Sequence, residues 1–215
     1  MKNVMIAGAA GLVGSALLRQ LLQVKELEKI IVFVRRPLDF KHPVVHQVVV
    51  DFDQLDSAQE WFRGIDTVFC CLGTTIKKAG TKQAFRKVDY EYPLVIARLS
   101  AVHGVKTFCC ITAMGADPHS SIFYNQVKGE VERDISELKI SSINFFRPSL
   151  LIGNRMEKRT GEKIGIVVFK ALDFLFVGPL KNYKGIRIEK VAQAMIQTAS
   201  HPQHGKHIVL SGEMQ

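Results

Sequence analysis

The feature that most constrains this chain is its opening: Val4–Gly8 is a short, wholly apolar run that ends in glycine and leads straight into a helical stripe. A run of that kind fits a strand buried on both faces, as in a parallel sheet. Gly11–Val24 then sets Leu12, Ala16, Leu17 and Leu21 on one face at helical spacing. The alternation repeats. Further strands are expected at Lys29–Val34, Val44–Val50, Thr67–Leu72, Val105–Ile111 and Ser142–Phe146. Between them lie a short helix around Trp61 and Phe62, a long one over Lys82–His103 stopped by Gly104, and another over Tyr124–Leu138. Parallel strands joined by helical crossovers make a doubly wound α/β fold.

The rhythm changes near Leu151. A charged loop, Asn154–Lys163, precedes an apolar window at Ile164–Leu180, followed by a helix over Glu189–Ser200 and a last strand-like stretch, Lys206–Leu210. The expected division is therefore a core over 1–150 and a small substrate-covering cap over 151–215, whose last strand is free to return to the sheet. The apolar window is too broken by Lys170, Asp173 and Gly178-Pro179 to span a membrane, which needs about 20 apolar residues.

Composition excludes several classes. Across 215 residues, 47% hydrophobic and 23% charged content rules out disorder, collagen and a disulfide scaffold. Cys70-Cys71 and Cys109-Cys110 are adjacent pairs inside apolar runs, and neighbours on a strand point to opposite faces, so neither pair is expected to bridge internally. With Met1 leading directly into a strand, the expected compartment is the reducing cytoplasm. The charge of +9 raises the prior for an anionic partner. Residues 153–190 hold nine Lys/Arg against four Asp/Glu, but no basic run with interleaved aromatics, so a small anionic molecule is expected rather than nucleic acid. Oligomeric state is left open.

The loop after the first strand, Gly8-Ala9-Ala10-Gly11-Leu12-Val13-Gly14, has the context of a dinucleotide fingerprint, spaced G-x-x-G-x-x-G. Gly8 and Gly11 permit a tight turn and close backbone approach, which frees helix N–H groups for a pyrophosphate, and Gly14 lets the helix pack close. Ala10, Leu12 and Val13 are counted with them as cofactor contacts. Arg35 and Arg36 end the second strand, with no acidic residue between Ile30 and Leu38. An acidic residue there would accept from the ribose of NAD, whereas arginine matches a 2′-phosphate, so NADP is expected over NAD. Asp51 at the end of the third strand and Pro148 behind the sixth are further expected cofactor contacts.

Tyr124 and Lys128 form Y-x-x-x-K, one turn apart on one helix face. A phenol titrating near 10 needs a nearby cation to exchange its proton at neutral pH, and Lys128 can supply that charge. Thr112, at the end of the fifth strand, is placed to hold a substrate carbonyl beside the phenol. His201, His204 and His207 recur every third residue but lack a carboxylate or cysteine companion, so no metal is expected.

These segments resemble the atypical branch of the short-chain dehydrogenase/reductase superfamily, in the HIV-Tat-interacting-protein-like oxidoreductase group with its NAD(P)-binding Rossmann fold. The likeness rests on GAAGLVG, CLGTT, VDYEYP, TAMGAD, YNQVKGEVE, FFRPSLLIGNR and VAQAM, which occur in that order. It implies that Gly8, Gly11 and Gly14 contact pyrophosphate, that Arg35 clamps the 2′-phosphate, and that Leu72, Gly73 and Thr74 border the cofactor. It also implies a catalytic trio of Thr112, Tyr124 and Lys128, with Lys128 serving both the phenol and the nicotinamide ribose. The chain departs from the family at Thr112-Ala113, where relatives usually have two serines, and at Asp89, where many extended members have Asn. The expected activity is an NADPH-dependent oxidoreductase acting on a carbonyl or alcohol. The alternatives are a cofactor-binding regulator and, with fewer residues than a nucleotide-sugar pocket needs, a sugar-nucleotide epimerase.

Overall fold

The computed structural model describes residues 1–153 and 184–215. Seven parallel strands form the central sheet: β1 (Asn3–Ala7), β2 (Lys29–Val34), β3 (Val45–Val49), β4 (Thr67–Cys70), β5 (Thr107–Ile111), β6 (Ser142–Arg147) and β9 (Gly205–Leu210). Their order is β3-β2-β1-β4-β5-β6-β9. A separate ladder pairs β7 (Leu151–Ile152) with β8 (Ile186–Arg187). The helices are α1 (Leu12–Leu21), α2 (Ile76–Ala79), α3 (Lys82–Arg86), α4 (Tyr92–Val102), α5 (Phe123–Ser136) and α6 (Ile188–Ser200).

Both faces of the sheet are buried, which is why its central strands read as unbroken apolar runs. Met5, Ala7, Ile31, Phe33, Val68, Cys70, Phe108 and Cys110 face α4, α5 and a 3₁₀ segment over Phe52–Phe62. Their alternates, Val4, Ile6, Ile30, Val32, Phe69 and Cys109, face α1 and α6. Burying a side chain of this size contributes about 1.5–3 kcal/mol, so the two layers fix the register of the central strands.

Two expectations change. The helix expected over Lys82–His103 is divided into α3, a π turn at Lys87–Glu91, and α4. Pro93 has no N–H for the Asp89 carbonyl, and the backbone widens there, with Tyr92 N–H reaching back to Lys87. The helix around Trp61 is the 3₁₀ segment, opened by Asp51, whose carboxylate accepts from Asp53 N–H at 2.9 Å.

The C-terminal strand joins the sheet, parallel to β6 from Ser142↔Gly205 to Arg147↔Leu210. The helix before it, α6, packs on α1, and Gln20 donates to the Glu189 carbonyl at 2.9 Å. The expected charged loop and apolar window between residues 154 and 183 lie outside the described residues.

Candidate active site

The chain runs outward from β1 to β3 and then returns to lay β4 against the other side of β1, so the crevice at the strands' carboxyl ends lies between β1 and β4. Gly8 closes β1 with φ at 91°, and a Cβ there would stand 2.6 Å from the Cys71 carbonyl oxygen just past β4. A Cβ on Gly14 would stand 2.2 Å from the Gly8 oxygen. Two bare glycines thus let α1 start directly on the loop. Gly11 is its N-cap and brings no capping side chain, which leaves the first-turn N–H groups of Leu12, Val13 and Gly14 for an anion. Ala10 and Gly11 are exposed on this rim, whereas the Val13 side chain turns into the core and offers the site only its backbone.

Arg35 and Arg36 are exposed at the end of β2 and form no ion pair with any described residue. The chain behind them is anchored by Gln47, which accepts from Leu38 N–H at 2.6 Å and donates to the Phe40 carbonyl at 2.8 Å. The uncapped first-turn N–H groups of α1 suit the pyrophosphate of a dinucleotide.

On the other side of the crevice, α5 carries Tyr124 and Lys128. The Tyr124 ring leans on buried Phe85, with centroids 5.5 Å apart, and its hydroxyl bonds to no described residue. Lys128 is buried, and its Nζ lies 2.7 Å from Asp89 Oδ1 in the π turn. The other Asp89 oxygen accepts from Thr74 N–H at 2.9 Å. Burial opposes the Lys128 ammonium, but Asp89 and, more weakly, Tyr124 hold its pKa above the usual lysine range. Leu72, Gly73 and Thr74 pass directly over this pair: a Cβ on Gly73 would lie 3.5 Å from Asp89 Oδ1 and 3.9 Å from Lys128 Nζ.

Thr112 is held elsewhere. Its hydroxyl donates to Glu132 Oε1 at 2.5 Å, and Glu132 takes two hydrogen bonds from Arg147, from Nε at 3.0 Å and from an Nη. The single hydroxyl hydrogen is therefore committed to a carboxylate rather than aimed into the crevice. Pro148 follows Arg147 and is buried, and its carbonyl accepts from Met114 N–H at 3.2 Å, tying the loop after β5 to the end of β6.

A profile of the NAD(P)H-binding family matches residues 8–142, from the glycine loop to the start of β6. The chain belongs to the NAD(P)H-binding family. The protein HTATIP2 of Rattus norvegicus is 37% identical over 215 residues, which is 99% of this chain and 87% of that protein. The mitochondrial protein FMP52 of Debaryomyces hansenii is 30% identical over 202 residues, covering 92% of this chain and 87% of that one. Among solved structures, the Bordetella bronchiseptica enzyme WbmH in complex with NAD+ superposes with a TM-score of 0.74 at 16% identity, over 99% of this chain and 76% of that one. UDP-glucose 4-epimerase of Thermotoga maritima gives 0.72 at 15%, over 98% and 77%. These two share the fold. The likeness to the HIV-Tat-interacting-protein-like group of the short-chain dehydrogenase/reductase superfamily holds along the whole chain.

Within this NAD(P)H-binding fold the glycine loop approaches Cys71 and Leu72 just past β4, Gly73 lies over Asp89 and Lys128, Tyr124 stands one turn before Lys128 on α5, and Arg35 and Arg36 follow the end of β2. Of the site's polar framework, Glu132 and Arg147 escaped the reading of function from sequence, and Asp89 entered it only as a departure from the family. Glu132 had a signal, since Tyr124, Lys128 and Glu132 recur every fourth residue on one face of α5. Cys71 and Cys109 behave as packing residues: burial pushes their thiols well above the ordinary range.

Proposed function

We propose that this protein is an NADP(H)-dependent oxidoreductase acting on a small carbonyl or alcohol. The observation that carries the reading is a tyrosine hydroxyl without a partner among the described residues, one helical turn from a buried lysine kept charged beneath the loop after β4 of an NAD(P)H-binding fold. The first-turn N–H groups of α1 would take the pyrophosphate, Arg35 and Arg36 the 2′-phosphate, and Leu72–Thr74 with Pro148 the nicotinamide side, with Asp51 after β3 as a further cofactor contact. The bound cofactor would supply or accept the hydride. Tyr124 would give its phenolic proton to the substrate oxygen, and the Lys128 ammonium would stabilise the phenolate left behind. Lys128 would also donate to the nicotinamide ribose. With the Thr112 hydrogen on Glu132, polarisation of the oxygen falls to Tyr124, and Thr112 acts as a support.

An anionic substrate is favoured by the charge of +9, although between Leu72 and Val88 Arg86 is paired with Glu130 and Lys87 with Asp53. The free thiols of Cys70, Cys71, Cys109 and Cys110 support a reducing compartment, cytoplasmic in this reading, although FMP52 relatives are named mitochondrial. No described helix is long and apolar enough to cross a membrane.

A second reading, an NADP(H)-binding regulator with little turnover, is favoured by the same Thr112–Glu132 bond, which leaves one free hydroxyl at the reacting centre. A panel of aldehydes, ketones and quinones separates the two. The oxidoreductase should oxidise NADPH with some member of the panel, and Tyr124→Phe should abolish turnover while keeping fold and NADPH affinity. Equal turnover by Tyr124→Phe would remove the mechanism, and tight NADPH binding without any turnover would favour the regulator.

A further inference from the structure

Asp89 is one of the most deeply enclosed charged groups among the described residues, at 1% exposure, in a π turn whose widening aims it beneath the loop after β4. Its carboxylate bridges two elements that the proposed function uses separately. One oxygen meets Lys128 Nζ at 2.7 Å, and the other accepts from Thr74 N–H at 2.9 Å. A buried ion pair is no better for stability than a well-packed apolar pair. Its place between the cofactor loop and the lysine therefore calls for a reason other than folding.

We propose that Asp89 is a positioning residue that holds Lys128 and the Leu72–Thr74 turn as one unit for the cofactor. The proposal rests on reading Lys128 as a cofactor contact. An ammonium has three donors. Asp89 anchors that group by charge at 2.7 Å, without a well-formed hydrogen bond to Oδ1, which leaves the donors for the cofactor, while the Thr74 bond to the other oxygen sets the height of the turn above them. The titratable groups facing Lys128 are Asp89 from the π turn, Tyr124 from its own helix, and the thiols of Cys70 and Cys110 from β4 and β5. Of these only Asp89 is a carboxylate, so it supplies the counter-charge.

The test uses the apo-protein labelled with ¹⁵N-lysine, together with calorimetric titration of NADPH. Asp89→Asn keeps the side-chain shape and an acceptor for Thr74 but removes the charge. Wild-type Lys128 should stay protonated to the alkaline limit of folding, and in Asp89→Asn it should lose its proton at least about one pH unit lower, because burial then acts unopposed. NADPH affinity should fall about ten-fold in Asp89→Asn and comparably in Lys128→Met, with the double variant no worse than either, since both break one unit. An unmoved Lys128 titration, or losses that simply multiply, would overturn the proposal. Should Asp89→Asn alone not fold, recovery of folding in Asp89→Asn/Lys128→Met supports the pairing, and continued failure counts against it. If wild type binds no NADPH, the cofactor reading fails, and the Lys128 titration still reports whether Asp89 holds the lysine.

Discussion

The hydroxyl of Thr112 and the carboxylate of Glu132 meet at 2.5 Å, and Arg147 closes on the same carboxylate from the end of β6. One buried acid thus fastens the ends of β5 and β6 to α5. In the function proposed above this bond makes Thr112 a support rather than the hydroxyl that polarises the substrate, and it can be tested as such.

Glu132→Ala should destabilise the fold by about 3 kcal/mol, because it leaves the Arg147 guanidinium without its counter-charge. Thr112→Val should cost about 1 kcal/mol, one hydrogen bond's worth, and almost nothing further in the Glu132→Ala background. Urea unfolding of the two single variants and the double measures this. A Thr112→Val protein with unchanged stability but lost turnover would return Thr112 to the catalytic role.

At the glycine loop, Gly14→Ala puts a methyl where the Gly8 oxygen lies only 2.2 Å away. The helix must back off the loop, at a cost of about 1–3 kcal/mol. Thermal unfolding should drop by several degrees, and NADPH affinity should fall with it because the first-turn N–H groups move. Wild-type values for both would show that the loop tolerates what its geometry forbids.

Arg35→Ala should weaken NADPH by about ten-fold, roughly 1.4 kcal/mol, and leave NADH unchanged. Wild type should prefer NADPH by at least that factor. Calorimetry with both cofactors decides it: equal wild-type affinities, or a ratio that survives the substitution, would sink the 2′-phosphate assignment.

The raised pKa of Lys128 fixes the sign of a pH effect. A lysine that holds its proton more tightly folded than unfolded contributes stability in full below the unfolded value, about 10.4, and loses it as pH rises through the folded value. The stability difference between wild type and Asp89→Asn/Lys128→Met, which leaves no orphaned charge, should therefore be constant from about pH 6 to 9 and change only in the alkaline range. A difference that drifts across neutrality would place the dominant linkage on another group.

What the sequence by itself determined was local. The apolar runs set the strands, because residues buried on both faces of a parallel sheet leave no polar positions to confuse the pattern. Gly8-x-x-Gly11-x-x-Gly14 marked the crevice because close backbone approach excludes a Cβ, a constraint written in single residues. The spacing of Tyr124 and Lys128 placed them together because a helix fixes which neighbours share a face. What only the tertiary structure decided was pairing across elements. Pro93 opens the π turn, yet nothing near Asp89 in the chain says that the turn will deliver its carboxylate to Lys128 on α5. Thr112 reads as a free hydroxyl until α5 brings Glu132 over it. The last strand could have served a cap until β6 offered the sheet's open edge. Periodicity and backbone sterics act within a few residues, whereas the partner of a buried charge is set by which elements pack against it.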